Sequence, residues 1–507
     1  MECALLLLLS SLMADAGSSP GMQKSQGEEN AATRIPVEPI GNAGKSLPVD
    51  LPKEEPALRK AAEKGDAKAQ TRLGSAYYYG QGVPKNDAEA VRWWRMAAGQ
   101  GNADAQTNLG SAYDYGQGVS QDHAEAVRWW KKAADQGNAN AQFNLGLAYD
   151  LGQGVPKDHA AAVRWWRTAA AQGNADAQTN LGSAYDNGQG VSQDHTEAVR
   201  WWKKAADQGK ANAQFNLGLA YDLGQGVPKD YAEAVRWWRK AAGQGNADAQ
   251  TNLGSAYDSG QGVSQDHTEA VRWWKKAADQ GSANAQFNLG RAYDTGQGVR
   301  QNHAEAALWW RKAARHGDAD AQTNLGSAYD NGQGVPQNHA EAVHWWKKAA
   351  DQGNANAQFS LGLAYDLGQG VPKNYAEAAR WYQKAADQGE AGAQTNLGSA
   401  YANGHGVPQD YAVAVLWWKK AADQGDANAQ FRLGLAYFHG QGAAQDQAEA
   451  YFWADLAATL NQDAKGKSAA KLRDSIAATL TQVQLSAVQK KCRQWMDAFD
   501  TRKVQWR

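Results

Sequence analysis

The apolar positions of this chain follow a helical period that is broken and restarted at regular intervals. Between Ala105 and Asn140 the small and apolar residues Ala105, Leu109, Ala112 and Tyr113 fall at i, i+4, i+7 and i+8. That spacing places them on one stripe of a helix. Gly116 and Gly118 interrupt the stripe, and glycine readily takes the left-handed backbone of a helix C-terminus. Val119 then returns the chain to the core. Asp122, with Glu125 three residues on, forms a capping-box pattern and predicts the start of a second helix. Ala126, Trp130, Ala133 and Ala134 make the stripe of that helix, and Gly137 ends it. The small residues on both stripes let the two helices approach closely.

This helix–turn–helix unit recurs. An Ala-Gln pair begins at Ala69, Ala105, Ala141, Ala177, Ala213, Ala249, Ala285, Ala321, Ala357, Ala393 and Ala429, always 36 residues apart and without an insertion. A unit of this size cannot bury its own stripes and stacks on its neighbours instead. The predicted fold is therefore all-α, a right-handed α-solenoid of eleven 36-residue helix–turn–helix repeats over residues 57–452. A length of 507 residues then implies a long array and not three or four globular domains. A longer period overlies the first. Units reading Gln-Thr-Asn-Leu-Gly-Ser alternate with units reading Gln-Phe-Asn-Leu-Gly-Leu, and Ser360 and Arg432 replace the Asn in two of them. The array thus grew by duplication of a pair of units.

The flanks differ. Residues 453–507 are read as C-terminal capping helices, with Leu472, Ile476, Leu480, Leu485, Val488 and Trp495 as the apolar contacts, because the last unit has no neighbour to cover its face. Residues 17–56, rich in Gly, Ser, Pro, Glu and Lys, are read as a flexible linker. Residues 1–16 hold a short apolar run followed by Ala14-Asp15-Ala16, a small-residue cleavage pattern. They predict a secretory signal peptide and hence a periplasmic or secreted protein. Glu2 stands where a basic residue is usual, and without cleavage the protein is cytoplasmic. No run is long enough to span a bilayer. With 52 basic and 53 acidic residues the net charge is -1, which offers no polycationic surface to nucleic acid. Cys3 and Cys492, the two cysteines, build neither a disulfide framework nor a thiolate zinc site.

The pattern Ala-Gln-x-x-Leu-Gly-x-Ala-Tyr-x-x-Gly-x-Gly-Val, then Asp-x-x-Glu-Ala-x-x-Trp-Trp-x-Lys-Ala-Ala-x-Gln-Gly, closely resembles the Sel-1-like repeat, a relative of the tetratricopeptide repeat. The tail beginning Ala469-Ala-Lys-Leu-Arg-Asp474 is similar to the ending of bacterial members. The resemblance implies an interaction scaffold in envelope biogenesis, signalling, secretion or host contact. Some secreted members are linked to β-lactamase or penicillin binding, and those carry paired cysteines within each repeat, whereas no repeat here contains one. A secreted β-lactamase-like or peptidoglycan-acting enzyme and a cytosolic assembly adaptor are the alternative readings.

Candidate chemistry is sparse. His123, His159, His195, His267, His303 and His339 recur just inside the second helix. Stacked helices lie ~8–10 Å apart, whereas zinc ligands converge within ~2 Å of one ion, so no metal site is expected. Gly-x-Gly-Val lacks the strand and the Lys of a phosphate loop and is read as a turn. Ser468-Ala-Ala-Lys471 matches a serine acyl-enzyme pattern, but no companion motif accompanies it. No catalytic residue and no cofactor are predicted. The first residue of each Trp pair is Trp in all eleven units, from Trp93 to Trp453. It sits at the edge of the stripe, which predicts packing against a neighbouring repeat.

The outward side of the first helix is the predicted binding face, because in tetratricopeptide-type solenoids the first helices line a groove. Asn108, Asn144, Asn180, Asn216, Asn252, Asn288, Asn324 and Asn396 recur there. An Asn amide both donates and accepts, and such a ladder suits the backbone of an extended peptide or else ties neighbouring helices together. Phe143, Phe215, Phe287 and Phe359 flank the ladder in alternate units, with Tyr115, Leu151 and Leu223 at a position that varies along the array. The expected partner is a protein or peptide.

Overall fold

The computed structural model describes residues 51–461 and 464–505, all of whose regular elements are α-helices. The predicted signal peptide, and most of the predicted linker, lie outside the described residues. Two compact units are distinguished, one ending at Trp273 and the other beginning at Trp274.

In the first unit the helices are α1 (Leu51–Glu63), α2 (Ala67–Tyr79), α3 (Asp87–Gly99), α4 (Ala103–Tyr115), α5 (His123–Asp135) and α6 (Ala139–Leu151). There follow α7 (His159–Ala171), α8 (Ala175–Asn187), α9 (His195–Asp207), α10 (Ala211–Leu223), α11 (Tyr231–Gly243) and α12 (Ala247–Ser259). Helix α13 (His267–Asp279) contains the boundary. The second unit continues with α14 (Ala283–Thr295), α15 (His303–Arg315), α16 (Ala319–Asn331), α17 (His339–Asp351), α18 (Ala355–Leu367) and α19 (Tyr375–Asp387). It ends with α20 (Ala391–Asn403), α21 (Tyr411–Asp423), α22 (Ala427–His439), α23 (Gln447–Leu460), α24 (Ala464–Ala477) and α25 (Gln482–Gln505).

Most of the repeat-helix boundaries have a local cause, although Lys210 starts α10 without a side-chain cap. Asp122 accepts a hydrogen bond from the Glu125 amide at 3.0 Å, as the capping pattern predicts for the start of α5. Asn102 does the same for α4, accepting from the Ala105 amide at 2.9 Å. Gly116 closes α4 in the left-handed region (φ 67), its amide bonded to the Ala112 carbonyl. Gly118, two residues on, has a different task. A Cβ there would collide with the backbone carbonyl of Asp87, at the start of the preceding second helix. Gly154 meets the His123 carbonyl, and Gly190 the His159 carbonyl, in the same way. The Gly-x-Gly turn is therefore where one layer rests on the backbone of the layer before it.

The apolar layers are out of step with the sequence repeat. One layer joins Ala90, Val91, Trp94, Ala97 and Ala98 of α3 to Ala105, Leu109 and Ala112 of α4, and Trp129 of α5 covers it. Each core thus consists of a second helix, the following first helix and the leading Trp of the next second helix. Trp237 closes the layer of α9 and α10, and Trp381 closes that of α17 and α18. This explains why the leading Trp never changes, and it agrees with the packing across repeats expected from its edge position. Trp237 also lies between Lys203 of the preceding second helix, 5.7 Å away, and Lys240 of its own helix, 3.9 Å away. The second Trp fills the interior of its own repeat. In α5, Trp130 packs beneath Gly110 of α4, where an added Cβ would lie 2.5 Å from the indole.

The ends are closed by helices. Leu58 and Ala62 of α1 pack on Ala69 and Leu73 of α2 and on Trp93, so α1 takes the place of a missing second helix. It begins at Leu51, ahead of the expected boundary at residue 57. Trp453 belongs to α23, the second helix of the last repeat, and the cap proper is α24 and α25. Ile476, Val488 and Cys492 complete the terminal core, with Leu472, Leu480, Leu485 and Trp495 packed against it.

Candidate functional site

The groove positions are set by helices whose layers are tied by other residues. Gln106 of α4 donates to the Ala98 carbonyl of α3 at 3.1 Å, and Gln136 at the end of α5 donates to the Gln106 side chain at 2.7 Å. The same pair of bonds links Gln142 to Ala134 and Gln172 to Gln142. At the first-helix N-termini Asn138 bonds Asp104 at 2.9 Å and Asn174 bonds Asn140 at 3.0 Å. These ladders hold successive layers together. The sequence shows their period but not their bonds.

The predicted asparagines stand apart from these ladders. The side-chain nitrogens of Asn144, Asn180 and Asn252 are buried and have no hydrogen-bond partner. The outward face is closed in places. Asn108 is 4 % exposed and Ser111 3 %, because the flanking layers close over α4. Asn180, Asn216, Asn252, Asn288, Asn324 and Asn396 are half-buried. Phe143 is a core residue, 2 % exposed and packed with Leu147, Trp166 and Leu181. It is therefore not a groove wall as the structure stands. Phe215, Phe287 and Phe359 are half-buried. Tyr115 and Leu151 are half-buried, and Leu223 is exposed.

A cleft opens between α4 and α6. Ser111, Asp114 and Tyr115 come from α4, Trp130 from α5, and Asn144, Leu147, Ala148 and Leu151 from α6, with Gln153 beyond it. The structure thus brings together three predicted residues, Tyr115, Asn144 and Leu151. Asp114 and Gln153 were not among the predicted site residues. The signal for Asp114 was an Asp nine residues before each recurring histidine. His123 Nδ1 lies 2.7 Å from Asp114 Oδ1, and His159–Asp150, His195–Asp186, His267–Asp258, His303–Asp294 and His339–Asp330 repeat the pair. Each ring is oriented by a carboxylate of its own repeat. Where Tyr231 replaces the histidine, Asp222 is 5 % exposed, and burial pushes its carboxyl above the usual range against the opposing pull of Lys229. Among the described residues no cluster of three or more His, Cys, Asp or Glu could hold a metal ion. No helix among them is long and apolar enough to cross a membrane. Ser468 and Lys471 are both exposed on α24.

Comparison with known proteins agrees with the repeat geometry. The family described as Sel1 repeat matches eleven consecutive segments, from residues 67–102 to 427–462. The crystal structure of c5321, a protective antigen present in uropathogenic Escherichia coli strains and displaying an SLR fold, is 37% identical. The match covers 90% of this chain and 96% of that one, with a TM-score of 0.80. A Sel1 repeat protein from Oxalobacter formigenes is 35% identical over 64% of this chain and 95% of its own, with a TM-score of 0.48. No curated protein matches. Eleven in-phase matches with the helix order, the caps and the layer contacts described above make this chain a member of the Sel1 repeat family.

Proposed function

We propose that this chain is a non-catalytic scaffold that holds an extended segment of a partner protein against its first helices. Sel1 repeats commonly serve protein interaction. The observation that carries the reading is the set of buried amide nitrogens on Asn144, Asn180 and Asn252 that have no partner within the chain. A buried donor without an acceptor is costly, by about 1–3 kcal/mol, and a ligand's backbone carbonyl would relieve it. Glutamines already tie the layers, so the asparagines are not required for that purpose.

The likeness to a protective antigen of uropathogenic strains supports a place in a bacterial envelope or in host contact. Export belongs to the same proposal and rests on Ala14-Asp15-Ala16. Protein from its native host should then begin at Gly17, and intact Met1 recovered from the cytoplasm would turn the reading into a cytosolic adaptor. The binding face is tested by replacing Asn180, Asn216 and Asn252 together with Ala. Partner binding should weaken while the helices stay folded, each lost bond costing roughly 0.5–1.5 kcal/mol. Normal binding by the triple variant would move the partner to another face.

A further inference from the structure

We infer that the cleft between α4 and α6 is a subsite for one aliphatic residue of an extended peptide, whose backbone hydrogen-bonds to Asn144. This deepens the scaffold reading above and rests on it. Three observations converge. The walls are apolar, formed by Tyr115 of α4 and by Leu147 and Leu151 of α6. Asn144 lines the cleft, is 2 % exposed, and its side-chain nitrogen has no acceptor. A half-turn of that amide exchanges donor and acceptor with little change of shape, so it can meet either the C=O or the N–H of a peptide unit. No bond of Asn144 to another part of the chain has to break for this to happen.

Charge selects the ligand further. Asp114, 6 % exposed, lines the same cleft, and no Lys or Arg does. Asp114 is paired with His123, so a carboxylate or phosphate in the cleft would meet a like charge, which a neutral backbone amide does not. The combination is also local. The corresponding pair in α8 and α10 is Asn187 and Leu223, so the aromatic wall is missing there. Asn180 and Asn252 keep the unpartnered nitrogen, but their own helices carry Ser183 and Asn187, or Ser255 and Ser259, where α6 has Leu147 and Leu151. The peptide backbone can therefore run along several layers while this cleft reads a side chain.

The test uses the full chain and a displayed library of randomised peptides of about twelve residues with both ends blocked. Enriched peptides should share a Leu, Ile or Val whose change to Gly weakens binding by about tenfold or more. Asn144→Ala and Leu151→Asp in the protein should each weaken binding to a similar degree, whereas Leu367→Asp on α18 should leave it unchanged. Leu151 lies at the half-exposed rim, so its variant keeps the test valid if Asn144→Ala disturbs folding. Circular dichroism and thermal melting report folding for each. Peptides that need an acidic side chain, or that bind both cleft variants normally, would overturn the subsite and leave the scaffold standing. Enrichment of no peptide would remove both readings.

Discussion

Two residues show how closely this repeat is fitted. Gly182 of α8 lies over Trp202 of α9, where an added Cβ would sit 2.5 Å from the indole Cδ1. The indole also donates to the Thr179 carbonyl at 3.2 Å, so it cannot move aside freely. Gly182→Ala should therefore destabilise its layer by roughly 1–3 kcal/mol, despite the better helix propensity of Ala, and melting curves would check this. Asp222 makes the opposite point about polar groups. Its raised carboxyl pKa means that the folded chain holds the proton more tightly than the unfolded chain does. The cost is absent well below the ordinary carboxylate range and appears as pH rises through that range to the higher folded one. Tyr231→His should supply the ring that His195 offers Asp186 at 2.8 Å. The Asp222 carboxyl should then titrate lower, and stability near neutral pH should rise. Carbon-13 titration of the side chain and melting against pH measure the two effects.

At the scale of the helix, the capping and terminating residues were legible from the sequence because their causes are local. Asp122, Gly116 and the apolar stripe of α5 act within a few residues of one another. The partner of the leading Trp was legible only as a mismatch between its edge position and its constancy, since the packing crosses from one repeat to the next. The period of the glutamine ladder was legible but its bonds were not, because Gln106 and Gln136 meet over 30 residues and a polar residue near a helix end reads as solvated. For the same reason the outward faces of α4 and α6 were read as open, although neighbouring layers bury Asn108 and Phe143. The ladder stops at the last repeat, where Gln430 keeps a buried, unpartnered oxygen, and it is also broken inside the array. His316 stands where nine of the other repeats have Gln, and the Gln286 side-chain oxygen is buried without a partner. His316→Gln should restore the bond seen between Gln352 and Gln322 at 2.8 Å. A gain of roughly 0.5–1.5 kcal/mol is expected, read as slower amide hydrogen exchange in α14 and α15.

For the whole molecule, the stacked arrangement makes the ends as important as the middle, because each layer is covered only by its neighbours. Tyr451 and Phe452 of α23 are buried against α25, where Gln489 donates to the Tyr451 hydroxyl and the Cys492 thiol lies on the Phe452 carbonyl. Ending the chain after Leu460 would expose them, so the truncated protein should melt earlier and self-associate, as size-exclusion chromatography and thermal scans would show. The glycine contact on a preceding carbonyl, made by Gly118 on Asp87 and by Gly154 on His123, has a consequence for heredity. It fixes the reading register of the whole array, since a single inserted or deleted residue in any turn would lift that turn off its seat. Unequal exchange between neighbouring copies in the gene is tolerated only in whole modules. Loss or gain of two modules also keeps Phe-bearing and Thr-bearing units in alternation. Natural variants of such a gene should therefore differ in length by steps of 72 codons, and each step would lengthen or shorten the partner segment that the array can hold.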